Sequence, residues 1–177
     1  IGMPGRRTGN MAAGDKIRKT ALKLVREFGP RDPFAIARGL GVQVLFRNDF
    51  TRLKGMYKVI LRNRYIFINA NLEPAMQHLV CAHELGHDLL HRRFFRAGTF
   101  QEFVLYDMKS KPEFEANVFA AELLLEDSVV DSCLKGGYDV FQVAGMLGVD
   151  VNLLLVKVNQ MYEGGAPELP PRDFLGK

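Results

Sequence analysis

The chain has 177 residues, of which 47% are hydrophobic and 25% charged, the balance of an ordinary globular protein with one domain-sized core. No stretch reaches the apolar length of a transmembrane helix, residues 1–10 lack a secretory signal, and two cysteines are too few for a disulfide framework. We therefore expect a cytoplasmic protein without a membrane partner. The net charge of +4 is modest and its basic residues are dispersed, so it does not by itself predict a nucleic-acid partner.

The first part of the chain combines helical periodicity with strand-like segments. In chain order, the pattern predicts a flexible tail at residues 1–11, a helix at Asp15–Phe28, a short helix from Pro33 to about Leu40, and strands at Val42–Phe46, Met56–Leu61 and Tyr65–Asn69. The short link at residues 62–64 predicts a tight hairpin turn between the last two strands.

The second part of the chain is mainly helical. The pattern predicts helices at about Leu72–His91 and Pro112–Glu126, a further short helix, then Asp139–Leu147 and Asp150–Tyr162, and an extended tail at residues 163–177. Residues 92–111 show no clear period. The sequence thus predicts an α+β domain at residues 12–162 between two tails.

Residues 83–87 read His-Glu-Leu-Gly-His, the pattern H-E-x-x-H, within a predicted helix. Residues four apart lie on one face of a helix, so His83 and His87 can bind one zinc ion. Glu84 lies one position round the helix, where it can reach a zinc-bound water and move its proton to the leaving nitrogen of a peptide. The alternative is a pair of ordinary core histidines, but burying both on an apolar face without a metal would be costly.

A third zinc ligand is expected from the helix at residues 112–126. On a helical wheel, Glu115 and Glu122 project within about 20° of each other on a partly apolar surface. Glu113 falls instead on the side of Asn117 and Ala120. A carboxylate on an apolar surface needs a partner, which zinc would supply; the alternative for Glu115 is a surface position or a salt bridge.

Other polar residues near the motif have open roles. His91 continues the spacing of four, and we favour a helix-end or ligand-supporting role over direct ligation. Tyr57, Tyr65 and Tyr106 are candidates for stabilising an oxyanion, and the sequence does not choose among them.

Together these residues resemble the ImmA/IrrE-type zinc metallopeptidase family. The segments that carry the resemblance are Ile36–Val44, Tyr65–Asn69, Ala82–His91 and Phe114–Leu125. The resemblance implies a zincin-like metallopeptidase domain, with a small, mostly antiparallel sheet packed on the active-site helix and further helices towards the C-terminus. It also implies that His83, His87 and Glu115 bind zinc and that Glu84 is the catalytic acid/base.

The resemblance further implies a substrate class. It suggests a zinc endopeptidase of narrow specificity that cleaves a helix-turn-helix repressor and thereby induces mobile-element or stress-response genes. An alternative is a repressor-binding regulatory module whose zinc is structural, but such a site has no use for the base Glu84.

A DNA-binding module is the other alternative, because residues 139–162 resemble a helix-turn-helix. Its second helix is dominated by leucine and valine, with Asn152, Lys157, Asn159 and Gln160 as its polar residues. From residue 112 onwards the chain holds 11 Asp and Glu against four Lys and Arg, too little positive charge to neutralise phosphates. We therefore expect a structural helix pair and no direct nucleic-acid binding.

Overall fold

The computed structural model of the chain describes residues 7–95 and 110–162, and within these ranges seven helices pack around a three-stranded sheet. The helices are α1 (Arg7–Phe28), α2 (Pro33–Gly39), α3 (Pro74–Phe95), α4 (Lys111–Leu124), α5 (Asp127–Lys135), α6 (Val140–Leu147) and α7 (Val151–Met161). The strands are β1 (Gln43–Arg47), β2 (Gly55–Ile60) and β3 (Asn63–Asn69). The predicted α+β class is confirmed. No single helix of these ranges is long and apolar enough to cross a membrane.

Two helix boundaries differ from the sequence pattern. Helix α1 starts at Arg7, so the end of the predicted N-terminal tail is helical. Helix α3 continues to Phe95 because no glycine or proline interrupts it after His91. The rest of the predicted tails, at residues 1–6 and 163–177, and residues 96–109 of the predicted irregular segment lie outside the described residues. The predicted domain limits therefore stay predictions.

Short polar side chains fix where four of the helices begin. Asp32, Ser110 and Asp150 each accept a hydrogen bond from a backbone N–H of the first turn, and Asp139 forms a capping box with Gln142. Such caps satisfy N–H groups that the first turn of a helix leaves unpaired. The cap at Ser110 bears on function because it fixes the first turn of α4.

Strand β3 is the centre of the sheet, parallel to β1 and antiparallel to β2. The sheet is therefore mixed, and the antiparallel pairing exceeds the parallel one by a single residue pair. Leu61 and Arg62 form the hairpin turn, with φ of 48° and 68°, the left-handed geometry that suits the twist of a two-residue hairpin. Of the two hairpin strands, β2 alone lies at an edge of the sheet.

One face of the sheet packs against α3. Tyr57, Ile66 and Ile68 are buried on this face. Side chains alternate between faces along a strand, so Tyr65 and Phe67 lie on the opposite face, where their rings stack with centroids 6.0 Å apart. Only side chains on the first face are directed towards α3.

Two glycines allow close packing on both sides of α3. A Cβ on Gly86 would lie 3.1 Å from the ring of Phe119 and 3.2 Å from the Cα of Ala116, so a larger residue would require these neighbours on α4 to shift by a few tenths of an ångström. On the sheet side, a Cβ on Gly55 would collide with Val80. Helix α3 is thus held tightly between β2 and α4.

A buried ion cluster joins α4 to α1, α5 and α7. Lys157 of α7 is fully buried, with its Nζ 2.7 Å from Glu122 Oε2 and 2.5 Å from Asp127 Oδ1. Arg18 of α1 lies 2.6 Å from Asp127 Oδ2 and 3.4 Å from Glu122 Oε2. Glu122 therefore forms ion pairs with neighbouring helices and does not reach the histidines of α3. Removing one member of such a pair leaves an uncompensated charge in the core.

We expect Lys157→Met to destabilise the fold by about 3–5 kcal/mol, because it leaves Glu122 buried without its closest cation. The matched control is Lys135→Met, which removes an exposed lysine paired with Asp131 on the surface and should change stability little. Urea unfolding of both variants measures the difference. Equal losses of unfolding free energy in the two variants would show that the buried cluster stabilises the fold no more than a surface ion pair.

Candidate metal centre and active site

Three side chains from two helices converge on one point. His83 and His87 lie one turn apart on α3, and Glu113 lies in the first turn of α4. The two Nε2 atoms are 3.1 Å apart, and oxygens of the Glu113 carboxylate lie 3.2 Å from His83 Nε2 and 3.4 Å from His87 Nε2. In the described part of the chain, these three residues form a group that could hold one metal ion, because their ligand atoms all lie within 4.8 Å of one another.

The separations fit a metal ion. Ligand atoms around a tetrahedral zinc ion with bonds of about 2.0–2.1 Å lie about 3.3 Å apart. His83 and His87 are fully buried and Glu113 is 5% exposed. Although Glu113 Oε2 approaches His83 Nε2, it forms no hydrogen bond with any described residue. A buried carboxylate oxygen in this state is costly, and a cation would compensate it.

The protonation states of two of these residues also suit metal binding. Burial lowers the pKa of His87 to about 4, so its imidazole is neutral at neutral pH. Burial alone would raise the pKa of Glu113, but its contacts with His83 and His87 outweigh this and hold the pKa at about 2. A histidine binds a metal as the neutral imidazole, and a glutamate binds it as the ionised carboxylate. His87 and Glu113 therefore need not change protonation state to bind a metal.

Glu84 follows His83 on α3 and is 2% exposed. Its carboxylate reaches β2, where it accepts a hydrogen bond from the backbone N–H of Tyr57. Its Oε2 is buried without a hydrogen-bond partner among the described residues. Burial raises the pKa of this carboxyl to about 7, close to the value at which one group can both accept and release a proton near neutral pH. The arrangement suits proton transfer.

The far nitrogens of the two histidines contact other side chains. His83 Nδ1 lies 2.9 Å from Asn117 Oδ1. His87 Nδ1 lies 3.2 Å from His91 Nδ1, and His91 Nε2 lies 2.9 Å from Glu115 Oε2. His91 thus lies behind His87, directed away from the point where the three candidate ligands meet.

The structure brings Glu113, rather than the expected Glu115, to the two imidazoles. The helical wheel grouped Glu113 with Asn117 and Ala120, and this is the side of α4 that packs against α3. The expectation failed to select this side because α4 is buried almost all round, so its apolar residues do not mark one face. Glu115 lies against His91 instead. The spacing of four between Glu113 and Asn117 could have indicated the correct side, because it places two polar side chains on one face of the helix.

Two of the three tyrosine candidates, Tyr57 and Tyr65, lie within the described residues, and their contacts there do not place them for an oxyanion role. The Tyr57 hydroxyl donates a hydrogen bond of 2.6 Å to Asp88 Oδ1. Burial is the main cause that raises the Tyr57 pKa above its usual value, and the contact with Asp88 is the second. Tyr65 lies on the face of the sheet that points away from α3. Tyr106 lies outside the described residues.

Helices α6 and α7 cross at 114°, within the range of a helix-turn-helix. The second helix, α7, is however packed against α4, with Leu153, Leu154 and Val158 buried. Lys157, one of its candidate DNA-reading residues, is buried in the ion cluster with Glu122. A recognition helix must present its polar face to a groove, so this geometry favours the structural helix pair.

The model of a peptidase family, described as the IrrE N-terminal-like domain, matches residues 37–159. The chain belongs to this family. This confirms the predicted resemblance to the ImmA/IrrE group of metallopeptidases. The matched range contains every candidate metal ligand and Glu84.

The chain is also similar to two curated proteins, one of which is named a metallopeptidase. The chain is 36% identical over 143 residues to uncharacterized immunity region protein 2 of Bacillus phage phi105, covering 80% of this chain and 88% of that protein. It is 28% identical over 150 residues to metallopeptidase ImmA of Bacillus subtilis strain 168, covering 82% and 85%. The chain therefore spans most of the length of both relatives.

A solved structure shares the fold. A Mycobacterium tuberculosis transcriptional regulator superposes with a TM-score of 0.57 at 16% sequence identity, and the match covers 81% of this chain. It covers 47% of the regulator, so the chain spans about half of that protein's length. At this identity the likeness concerns the fold alone.

We expect Glu113→Gln to weaken metal binding more than Glu115→Gln, because the amide removes an anionic ligand from the point where the imidazoles meet. The measurement is metal retention by the full chain in competition with a chelator of known affinity. Stronger loss in Glu115→Gln would restore Glu115 as the third ligand and contradict the geometry of α4.

Proposed function

We propose that the chain is a zinc-dependent endopeptidase of narrow specificity that cleaves a helix-turn-helix transcriptional repressor. The observation that carries the proposal is the convergence of His83, His87 and Glu113 beside the buried carboxylate of Glu84. Two histidines and one glutamate form a donor set that is common in catalytic zinc sites, where a further coordination position stays open. Zinc is the ion proposed because this mixture of nitrogen and oxygen ligands at these separations suits it.

A bound zinc ion would lower the pKa of water and polarise the carbonyl of a peptide bond. Glu84 has the complementary task. Its Oε2 accepts a proton from the attacking water and delivers it to the nitrogen of the leaving amine. The backbone N–H of Tyr57 holds the carboxylate while this happens, and burial keeps its pKa near neutrality. Asn117 and His91 hold the two imidazoles from behind.

A repressor is proposed as the substrate on the strength of similarity. One relative is named as an immunity region protein of a phage and another as the metallopeptidase ImmA. Cleavage of a repressor would switch on the genes that it controls, in the mobile-element or stress-response class. Such a substrate is met in the cytoplasm, which is where we propose that the chain acts.

The edge of β2 is the place where an extended substrate segment would bind. Ile60 and Asn63 flank the two-residue turn, and residues in that position exchange hydrogen bonds across a hairpin. By alternation, the backbone groups of Tyr57 and Val59 are directed away from β3. Since the Tyr57 N–H already binds Glu84, the edge next to it lies beside the proposed base. An extended peptide that pairs there would gain main-chain hydrogen bonds.

Glu84→Gln should keep the metal and the fold but lower the cleavage rate by about 10²- to 10⁴-fold, because the amide cannot accept the proton of water. The substrate to test is a helix-turn-helix repressor encoded next to the chain, with cleavage followed by mass spectrometry and zinc measured by elemental analysis. A structural zinc site in a repressor-binding module would show no cleavage by the wild-type chain. Wild-type rates in Glu84→Gln would remove Glu84 from the mechanism.

Val59→Pro should weaken capture of the repressor by the Glu84→Gln protein, because proline removes a backbone N–H that points away from β3. The matched control is Val59→Ala, which also removes the valine side chain but keeps the backbone N–H. Binding is measured by titration calorimetry, and zinc content checks that the site survives. Equal affinities in the two variants would exclude pairing at this edge.

A further inference from the structure

The two proposed histidine ligands are held from behind in different ways. His83 Nδ1 contacts the amide oxygen of Asn117 directly, at 2.9 Å. His87 Nδ1 contacts a second imidazole, that of His91, at 3.2 Å, and the far nitrogen of His91 lies 2.9 Å from Glu115 Oε2. A carboxylate on α4 is thus connected through two imidazoles to the point where Glu113 and the two Nε2 atoms meet.

The hydrogen positions along this chain of contacts follow from one requirement. If His87 uses Nε2 as a metal ligand, that nitrogen carries a lone pair and the ring hydrogen is on Nδ1. His87 Nδ1–H then donates to His91 Nδ1. His91 in turn carries its hydrogen on Nε2 and donates it to Glu115 Oε2. Each donor meets an acceptor, so the metal-binding form of His87 is the form that His91 and Glu115 together favour.

We propose that His91 and Glu115 act as one unit of positioning residues that hold His87 with Nε2 directed at the metal. This inference rests on the proposed metal site. Glu115 then takes part in metal binding without touching the metal, and His91 transmits its effect. Partners of this kind fix the tautomer and ring orientation of a ligand histidine and raise its basicity.

The competing interpretation of Glu115 is a surface ion pair. Lys111, one turn earlier on α4, lies 3.6 Å from Glu115 Oε1 and its side chain is 78% exposed. The two interactions use different oxygens, because His91 contacts Oε2. The His91 contact is shorter and more buried, with the His91 and Glu115 side chains 4% and 18% exposed. Removing Lys111 therefore separates the two roles while leaving the contact with His91 in place.

The experiment is a double-mutant cycle on zinc affinity, measured with the full chain against a chromophoric chelator. Glu115→Gln and His91→Phe should each weaken zinc binding by about 10- to 100-fold. In the His91→Phe background, Glu115→Gln should cause little further loss, since its effect passes through His91. Lys111→Gln is the matched control and should leave affinity unchanged. If His91→Phe does not fold, His91→Leu replaces it in the same cycle.

A spectroscopic readout separates support from ligation. In the cobalt-substituted protein, the visible absorption depends on the number and type of ligands. Glu115→Gln should keep the wild-type spectrum, while Glu113→Gln should change it. Additive losses in the cycle, a loss in Lys111→Gln equal to that in Glu115→Gln, or a changed cobalt spectrum in Glu115→Gln would each overturn the inference. Unchanged zinc affinity in Glu113→Gln would overturn the proposed site itself, and the inference with it.

Discussion

The close approach of α3 and α4 at Gly86 is the constraint on which the site depends. The Glu113 carboxylate belongs to a separate helix and must still come within 3.2–3.4 Å of two imidazoles on α3. A glutamate side chain is too short to bridge widely spaced helices, so their axes must lie close. Glycine at position 86 allows this approach without a shift of Phe119 or Ala116. On the other side of α3, Gly55 lets β2 bring the Tyr57 N–H to Glu84. Two glycines thus set the spacing around the active-site helix.

The residues that share one helix could be predicted from the sequence, and those contributed by another helix could not be. His83 and His87 lie on one face of any helix because they are four residues apart, so no tertiary information is needed to pair them. The choice between Glu113 and Glu115 depends on how α4 is rotated about its axis. Because α4 is buried almost all round, its apolar residues do not mark one face, and the rotation cannot be predicted from their pattern. The helical wheel placed the two glutamates on different sides of α4. In the structure both contact α3, Glu113 at His83 and His87 and Glu115 at His91, so the wheel could not say which of them reaches the converging imidazoles.

The same distinction between local and distant interactions explains the sheet. Segments rich in β-branched and aromatic residues marked all three strands to within about two residues, and a short turn joined β2 to β3. No local sequence pattern indicates the parallel pairing of β1 with β3, because β2 and its connections separate the two strands along the chain. The sequence therefore predicted the hairpin but did not reveal that β3 is central.

Helix α4 carries buried polar side chains on more than one side, and we infer that these set its orientation. Glu113 and Asn117 meet the histidines of α3, whereas Glu122 meets Lys157 of α7. A rotation of α4 by one residue would separate both carboxylates from their partners, leaving charges buried at a cost of several kcal/mol each. Apolar packing alone would penalise such a rotation less, because valine, alanine and leucine surround the helix on all sides. Helix α7 therefore helps to hold the candidate ligand Glu113 in place from the far side of α4, because its buried Lys157 contacts Glu122.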